Sequence, residues 1–268
     1  MSADVVERVL RSARYHDVDP GLVRRLADEE LPGARTTDEA VKRVKRRLHQ
    51  AVGAFRGPRM RGGQGVVMAW HGDFAAPTLR AACLDAMAGH ASTRERAPYL
   101  DAFYRELWRR TGVPDTLVDL GCGLNPLALP WMDIGRATYH ACDVDERPLG
   151  IVRAFLGAVG QPGRVEHRDL VVDPPRESAD VALLLKLVTT LDRQDPSAAA
   201  RLLRAIDVRH AVVSFATRSL GGRSRGMERT YRERLDRLVA DVGRVETVSE
   251  ASVPHELVFV LTLGPMRA

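Results

Sequence analysis

Two carboxylates and a pair of glycines are the residues in this chain whose spacing points to chemistry. Val118-Asp119-Leu120-Gly121-Cys122-Gly123 reads as a strand end, a glycine turn and the approach to a helix. In a doubly wound sheet, ligands sit outside the carboxyl ends of the strands. Glycine in that first turn lets the backbone approach a nucleotide with no Cβ in the way. Asp143 ends the next apolar run, 22 residues beyond Gly121, which is the spacing of a carboxylate that binds ribose hydroxyls. Asp169 follows the third run, where it can accept from an adenine amino group while Leu170 packs on the ring. Asn125-Pro126 stands where a G-x-G-x-x-G pattern would continue, so no pyrophosphate cradle is formed. A nucleoside without phosphate is therefore favoured, which means S-adenosylmethionine and methyl transfer rather than a nicotinamide dinucleotide and hydride transfer. Asn125 is expected to cap the following helix, with Pro126 at its first position.

The elements that must position these residues alternate from Thr116 onward. Apolar runs at Thr116–Leu120, Ala137–Cys142, Arg164–His167, Val181–Leu187, Ala211–Ala216 and Glu256–Leu263 are separated by helical patterns at 126–134, 145–159, 196–206 and 227–241. That grammar predicts a mostly parallel sheet with helices on both faces. The first ~90 residues read instead as helical. Ser2 is expected to cap a helix carrying Val5, Val6 and Val9, and Asp19-Pro20 to open a second. Thr36-Thr37-Asp38-Glu39 has a capping-box pattern ahead of a stripe of Val41, Val44, Leu48, Val52 and Phe55. Residues 56–65 read as a glycine- and arginine-rich loop and 76–88 as a helix. Ser92 and Glu95 have capping-box spacing and predict one helix running to about Arg110, with Tyr99, Phe103, Leu107 and Trp108 in the core.

Charge is distributed unevenly between these parts. Residues 1–110 hold 20 Lys+Arg against 14 Asp+Glu, while the remainder is close to neutral, so the net +5 belongs to the helical part. Lys42, Arg43, Lys45, Arg46 and Arg47 crowd five cations into six residues with no acid among them, on what should be the outer face of an amphipathic helix. A solvated face would explain the run, but contact with RNA phosphate is the favoured reading. No apolar run approaches the ~20 residues of a membrane span, and the N-terminus has no signal core. Cys83, Cys122 and Cys142 form no CxxC pair and read as reduced thiols. A cytoplasmic protein with no metal and no membrane partner is expected.

These segments resemble a known family, the 16S ribosomal RNA guanine-N7 methyltransferases of aminoglycoside producers and resistant pathogens, which modify guanine-1405. The resemblance is carried by Leu48-His49-Gln50 leading to Phe55, by His90-Ala91-Ser92-Thr93-Arg94-Glu95-Arg96, and by Asp119-Leu120-Gly121-Cys122-Gly123-Leu124-Asn125-Pro126. It continues in Leu183–Leu187, Asp192-Arg193-Gln194 and Val213–Arg223, and is least specific over the first ~35 residues. It implies an α/β class I S-adenosylmethionine-dependent methyltransferase, Rossmann-like with a seven-stranded sheet. Residues 89–268 would form that domain, and 1–88 a helical extension docking on rRNA within the assembled 30S subunit. The cofactor contacts it implies are Phe55, His90, Ser92, Thr93, Arg96, Gly121, Asp143, Asp169, Leu170, Leu185 and Gln194, with Arg96 meeting the methionine carboxylate.

Guanine N7 carries a lone pair on the major-groove edge and needs no proton removed, so no general base is expected and catalysis is positioning. Lys186, after three leucines in a buried strand, should emerge at the strand's carboxyl end, as a target-base contact or snorkelling to solvent. Arg223 is a second candidate for the base, while Arg218 and Arg225 in the same glycine-rich stretch would meet RNA phosphate. The residues alone leave open another rRNA or tRNA base methyltransferase, for example one acting on adenine N1 in the decoding site. A small-molecule methyltransferase and a non-catalytic RNA-binding module on the same fold also remain open.

Overall fold

The computed structural model describes residues 2–57, 63–216 and 225–266, and of Arg225 and Gly226 the backbone only. Arg218 and Arg223 lie outside the described residues.

Three helices open the chain: α1 (Ser2–Leu10), α2 (Pro20–Glu30) and α3 (Thr37–Leu48). Their apolar stripes meet in one core that includes Val5, Val9, Leu22, Leu26, Val44 and Leu48. The caps follow the sequence at two places. Asp19 Oδ1 accepts from Leu22 N at 2.8 Å with Pro20 at the first position, and Thr36 Oγ1 accepts from Glu39 N at 3.2 Å. Ser2 is not a cap, because its hydroxyl donates to Asp28 on α2 at 2.6 Å. A π-helical turn (His49–Gly53) extends α3 toward the sheet.

Next come α4 (Gly63–Met68), α5 (Pro77–Met87), α6 (Ala91–Arg96) and α7 (Leu100–Thr111). The expected 56–65 loop is thus partly helix, since α4 begins at Gly63. The expected single helix from Ser92 to Arg110 is two helices joined by a 3-10 turn over Ala97–Tyr99, because Pro98 has no N–H to continue the ladder. Ser92 lies inside α6, whose cap position is His90. Tyr99, Phe103, Leu107 and Trp108 are core residues as expected.

The rest alternates: β1 (Thr116–Leu120), α8 (Leu129–Met132), β2 (Thr138–Asp143), α9 (Glu146–Val159), β3 (Gly163–His167) and β4 (Ala179–Leu185). It continues with α10 (Val188–Gln194), α11 (Ala198–Ala205), β5 (Val208–Ala216), α12 (Arg225–Val242), β6 (Val245–Ala251) and β7 (Glu256–Leu263). The seven strands are ordered β3-β2-β1-β4-β5-β7-β6, with β1 to β5 parallel and β7 antiparallel to both β5 and β6. This is the expected α/β fold.

Three differences from the sequence reading have local causes. β6 had no apolar signal because it is an edge strand, mostly exposed, with Glu246 and Glu250 among its residues. β4 stops at Leu185 rather than Leu187, because Lys186 turns to φ 60° and ends the extended run. The helix expected at 126–134 is a 3-10 turn (Asn125–Ala128) followed by the single turn α8.

The cores do not divide at residue 88. Val66 on α4 and Leu79, Cys83 and Met87 on α5 pack with the sheet, whereas the N-terminal core ends at Val52. The N-terminal bundle is stitched to the loop after β2 by backbone bonds from Asp19 N to Val144 O (2.9 Å) and from Glu146 N to Asp17 O (2.8 Å). Arg56 adds a bidentate pair to the buried Asp145, at 2.6 and 2.7 Å.

Candidate active site

Strand order reverses between β1 and β4, and at their carboxyl ends lies a cavity of about 830 Å³, counting its open mouth. That is the place in an open α/β sheet where small ligands bind.

Its floor is the turn after β1. Gly121 and Gly123 both adopt positive φ, at 63° and 51°. A Cβ at Gly121 would come within 2.7 Å of Leu187 Cδ1, and one at Gly123 within 2.6 Å of the His90 ring. The turn favours glycine at both positions, and at Gly123 the buried His90 ring also leaves no room for a Cβ. Gly123 N donates to Asp143 Oδ2 at 2.8 Å, and Asp145 N donates to Oδ1 at 3.0 Å. Burial, reinforced by the charge of Asp145, pushes the Asp143 carboxyl up to about 6 despite these donors.

Asn125 is not the expected helix cap. Its buried amide donates to Asp119 at 2.9 Å and accepts from Arg96 at 3.0 Å and from the Tyr104 hydroxyl at 2.9 Å. Asp119 also accepts from Tyr139 at 2.7 Å, and burial raises its carboxyl to about 6. The aspartate of the glycine motif thus anchors the loop from beneath.

One wall is a buried charge cluster. Arg96 is fully buried, lies over the Phe103 ring at 4.5 Å, and donates through Nη2 to Glu256 at 3.0 Å. Lys186 Nζ lies 2.6 Å from Glu95 and 3.2 Å from Glu256. Lys186 is at the strand's carboxyl end as expected but is only 7% exposed, so it does not snorkel to solvent. Burial alone would push the Glu256 carboxyl up, yet Arg96 and Lys186 outweigh it and hold it below the usual carboxylate value. Burial and the nearby charges of Lys186, Arg96 and Arg94 push His90 down to about 4, leaving it neutral at pH 7.

The opposite wall comes from the N-terminal part. Ala51 and Val52 of the π-helical turn line the cavity, as does Phe55, whose ring stacks on His90 at 6.0 Å and 13°. Arg25 of α2 reaches Asp169 at 2.9 Å and Gln194 at 2.8 Å.

Most of the expected cofactor residues meet here. Phe55, His90, Ser92, Arg96, Gly121, Asp143, Asp169, Leu170, Leu185 and Gln194 all line the cavity. Thr93 does not. It is buried beneath the wall, and its hydroxyl donates to Met87 O at 2.8 Å, so its role is to fix the start of α6. Arg25, Arg56, Asp145 and Glu256 were missed. Only Glu256 left a trace in the sequence, as a lone acid opening an apolar strand.

The basic run of α3 is not one uniform face. Lys42 and Arg46 are exposed and make no ion pair among the described residues, and Lys45 is half-buried. Arg43 pairs with Glu39 at 2.6 Å. Arg47 is turned inward, bonded to Glu29 (2.5 Å), Glu30 (3.3 Å) and Gln194 O (3.0 Å). The run has no acid of its own, but α2 supplies two. All three cysteines are buried free thiols. Among the described residues no group of carboxylates, histidines and cysteines is placed to hold a metal, and no helix is long and apolar enough to cross a membrane.

Two features of the cavity fit a nucleoside amino acid. Arg96 Nε and His90 Nδ1 are buried with no hydrogen-bond partner, so a donor suited to a carboxylate waits at one end. Asp143 and Asp169, both lining the cavity from successive strand ends, present carboxylates at the other.

A family model described as ribosomal RNA methyltransferase (FmrO) matches residues 11–260. A curated protein of Micromonospora echinospora, named 16S rRNA (guanine(1405)-N(7))-methyltransferase, is 39% identical over 266 residues, covering 96% of this chain and 95% of its own. A protein of Serratia marcescens with the same name is 32% identical over 236 residues, covering 85% and 86%. Among solved structures, the 16S rRNA methyltransferase RmtF in complex with S-adenosyl-L-homocysteine superposes with a TM-score of 0.84 at 32% identity, over 98% of both chains. The 16S rRNA methylase RmtB follows at 0.80 and 25%, over 98% of this chain and 99% of that one.

Proposed function

The chain belongs to the FmrO family of ribosomal RNA methyltransferases, and from that premise we propose that it methylates N7 of guanine-1405 in 16S rRNA, within the assembled 30S subunit, using S-adenosylmethionine. The observation that carries this reading is the switch-point cavity, with Asp143 and Asp169 on one side and the unpartnered Arg96 Nε on the other. Full-length similarity to guanine-1405 enzymes narrows the target to that base.

S-adenosylmethionine supplies an electrophilic methyl group on a sulfonium. Asp143 would accept from the ribose hydroxyls, Asp169 and Gln194 would face the adenine edge, and Leu170 and Leu185 would pack on the ring. Arg96 would offer Nε to the methionine carboxylate, since two of its terminal nitrogens are committed to Asn125 and Glu256. Guanine N7 is already a free lone pair, so no side chain need remove a proton. His90, held neutral, adds no further charge beside the cationic methyl donor. The chain's contribution is alignment and exclusion of water.

The target base must leave its stack to reach the cavity. Lys186 would hold it; what supports that role is its fixing by Glu95 and Glu256 and a strained φ of the kind found at functional sites. Arg223 remains the second candidate for the base, with Arg218 and Arg225 for phosphate. Lys42, Lys45 and Arg46 carry the docking role proposed for the N-terminal helices, with Arg43 at their edge. Methylation at N7 removes an acceptor and leaves a positive charge, which repels a polycationic aminoglycoside and confers resistance. The enzyme would work in the cytoplasm, where its substrate is.

The test is to incubate purified protein with 30S subunits, or with free 16S rRNA, and labelled S-adenosylmethionine, then map the product by borohydride–aniline cleavage. Cleavage at guanine-1405 in subunits and little in free RNA is expected. Label on an adenine, or on free RNA alone, would overturn the assignment.

A further inference from the structure

We propose that Arg25, on α2 of the N-terminal bundle, sets the donor and acceptor polarity with which the cavity reads its purine, making it selective for adenine over hypoxanthine. This rests on the reading of the cavity as the S-adenosylmethionine site.

Among the described residues, Arg25 is the one N-terminal side chain that bonds to both polar groups expected at the purine edge. Its side chain is 15% exposed, and its Nε and Nη2 both lie 2.9 Å from Asp169 Oδ2. The same Nη2 donates to Gln194 Oε1 at 2.8 Å. Nη1 is held by Glu29 on the next turn of α2 at 3.1 Å. Arg47 on α3 bonds the Gln194 backbone oxygen at 3.0 Å and so pins the end of α10.

The consequence lies in the donor and acceptor roles. Asp169 Oδ2 accepts the Arg25 Nε–H, with Nη2 beside it as an ion-pair contact, and Oδ1 accepts Val171 N at 3.0 Å. Asp169, paired with the guanidinium, therefore presents only acceptors to the cavity. Gln194 has its oxygen turned to the guanidinium, so its NH2 is the end left to donate. An acceptor beside a donor complements adenine, whose N6–H donor lies next to the N1 acceptor. Hypoxanthine inverts both positions, with O6 accepting and N1–H donating, and would set like against like.

Without Arg25, a glutamine amide can rotate and exchange its two ends. With Arg25 in place, rotation would turn the NH2 against guanidinium N–H groups, donors against donors. The guanidinium thus removes the degeneracy. A helix 144 residues from Asp169 in sequence completes the recognition edge.

The experiment measures calorimetric affinities of the full-length protein for S-adenosylhomocysteine and S-inosylhomocysteine, in wild type, Arg25→Ala, Arg25→Lys and Asp143→Ala. Wild type should prefer the adenosyl compound by at least about a hundredfold, because the wrong purine leaves buried polar groups unpaired. Arg25→Ala should shrink that ratio by about tenfold or more, and Arg25→Lys, which keeps the charge but loses the fork, by an intermediate factor. A purely structural ion pair would weaken both ligands together and leave the ratio alone. A ratio unchanged within threefold in both variants overturns the inference; if the alanine variant does not fold, the lysine variant decides by the same criterion. Failure of the underlying site looks different: wild type would not bind S-adenosylhomocysteine, or Asp143→Ala would bind it equally well.

Discussion

Glu256→Gln tests whether the buried cluster behind the cavity is an electrostatic unit. The substitution keeps the shape and one acceptor, but puts an NH2 where the second oxygen faced a cation. In the wild type, Glu256 is fully buried and bonds Arg96 at 3.0 Å and Lys186 at 3.2 Å. After the change Lys186 keeps Glu95, whereas Arg96 keeps only the neutral Asn125 amide and the face of Phe103. Removing one partner of a buried pair costs about 3–5 kcal/mol. The retained acceptor and the surviving Lys186–Glu95 pair place this case near the lower end, at about 3 kcal/mol. A domain of this size loses roughly 2–4 °C of Tm per kcal/mol, so a fall of about 6–12 °C is expected by calorimetry at pH 7.5. The pH dependence follows from the direction of the Glu256 shift. A carboxyl held below its unfolded value stabilises fully above that value and loses the contribution as pH falls through the folded one. The penalty should therefore be the same at pH 6 and pH 8 and shrink only in acid. A fall of less than about 2 °C, or a penalty that changes between pH 6 and 8, would refute the argument.

The cavity makes further commitments. Asp143→Ala should weaken S-adenosylhomocysteine binding by about one to two orders of magnitude, as loss of a charged acceptor does; calorimetry showing unchanged affinity would remove Asp143 from the site. Because the Asp143 carboxyl titrates at about 6, its ionised form is depleted below that pH, and affinity should drop about fourfold at pH 5.5 relative to pH 8. In the protein without ligand the same raised value acts in the opposite sense: its stabilising contribution is present below the unfolded value of 3.8 and is lost as pH rises through about 6. Asp143→Asn should flatten both profiles. Replacing the exposed Lys42 and Arg46 by glutamine should lower the salt slope of 30S binding by about one unit or more, whereas Arg47→Ala should disturb α10 and the cofactor affinity instead. Gly123→Ala places a Cβ 2.6 Å from the His90 ring at φ 51° and should cost about 2 kcal/mol, read as a lower Tm.

The legible parts of this protein are those written in near neighbours. The Asp19-Pro20 cap, the strand from Glu256 to Leu263 and the glycine turn all follow from interactions within a few residues, where the order of side chains specifies the backbone. Asp143 and Asp169 were legible for a related reason, since parallel strands joined by right-handed crossovers bring successive strand ends to one edge. β6 was hidden because an edge strand exposed to solvent needs no apolar alternation. Asn125 looked like a cap because its local position suits one, but a partner 29 residues away, Arg96, draws its amide inward.

Chain order alone thus determined the fold class, the family and ten of the residues that line the cavity. Tertiary structure decided which charges face one another. The five cations of α3 looked alike in sequence, yet packing against α2 turned Arg47 inward toward Glu29 and Glu30 and left Lys42 and Arg46 to solvent. Arg25 met Asp169, and Glu256 met Arg96 and Lys186, across separations that no local pattern spans. The physical reason is that a buried charge must find its partner wherever the fold brings one.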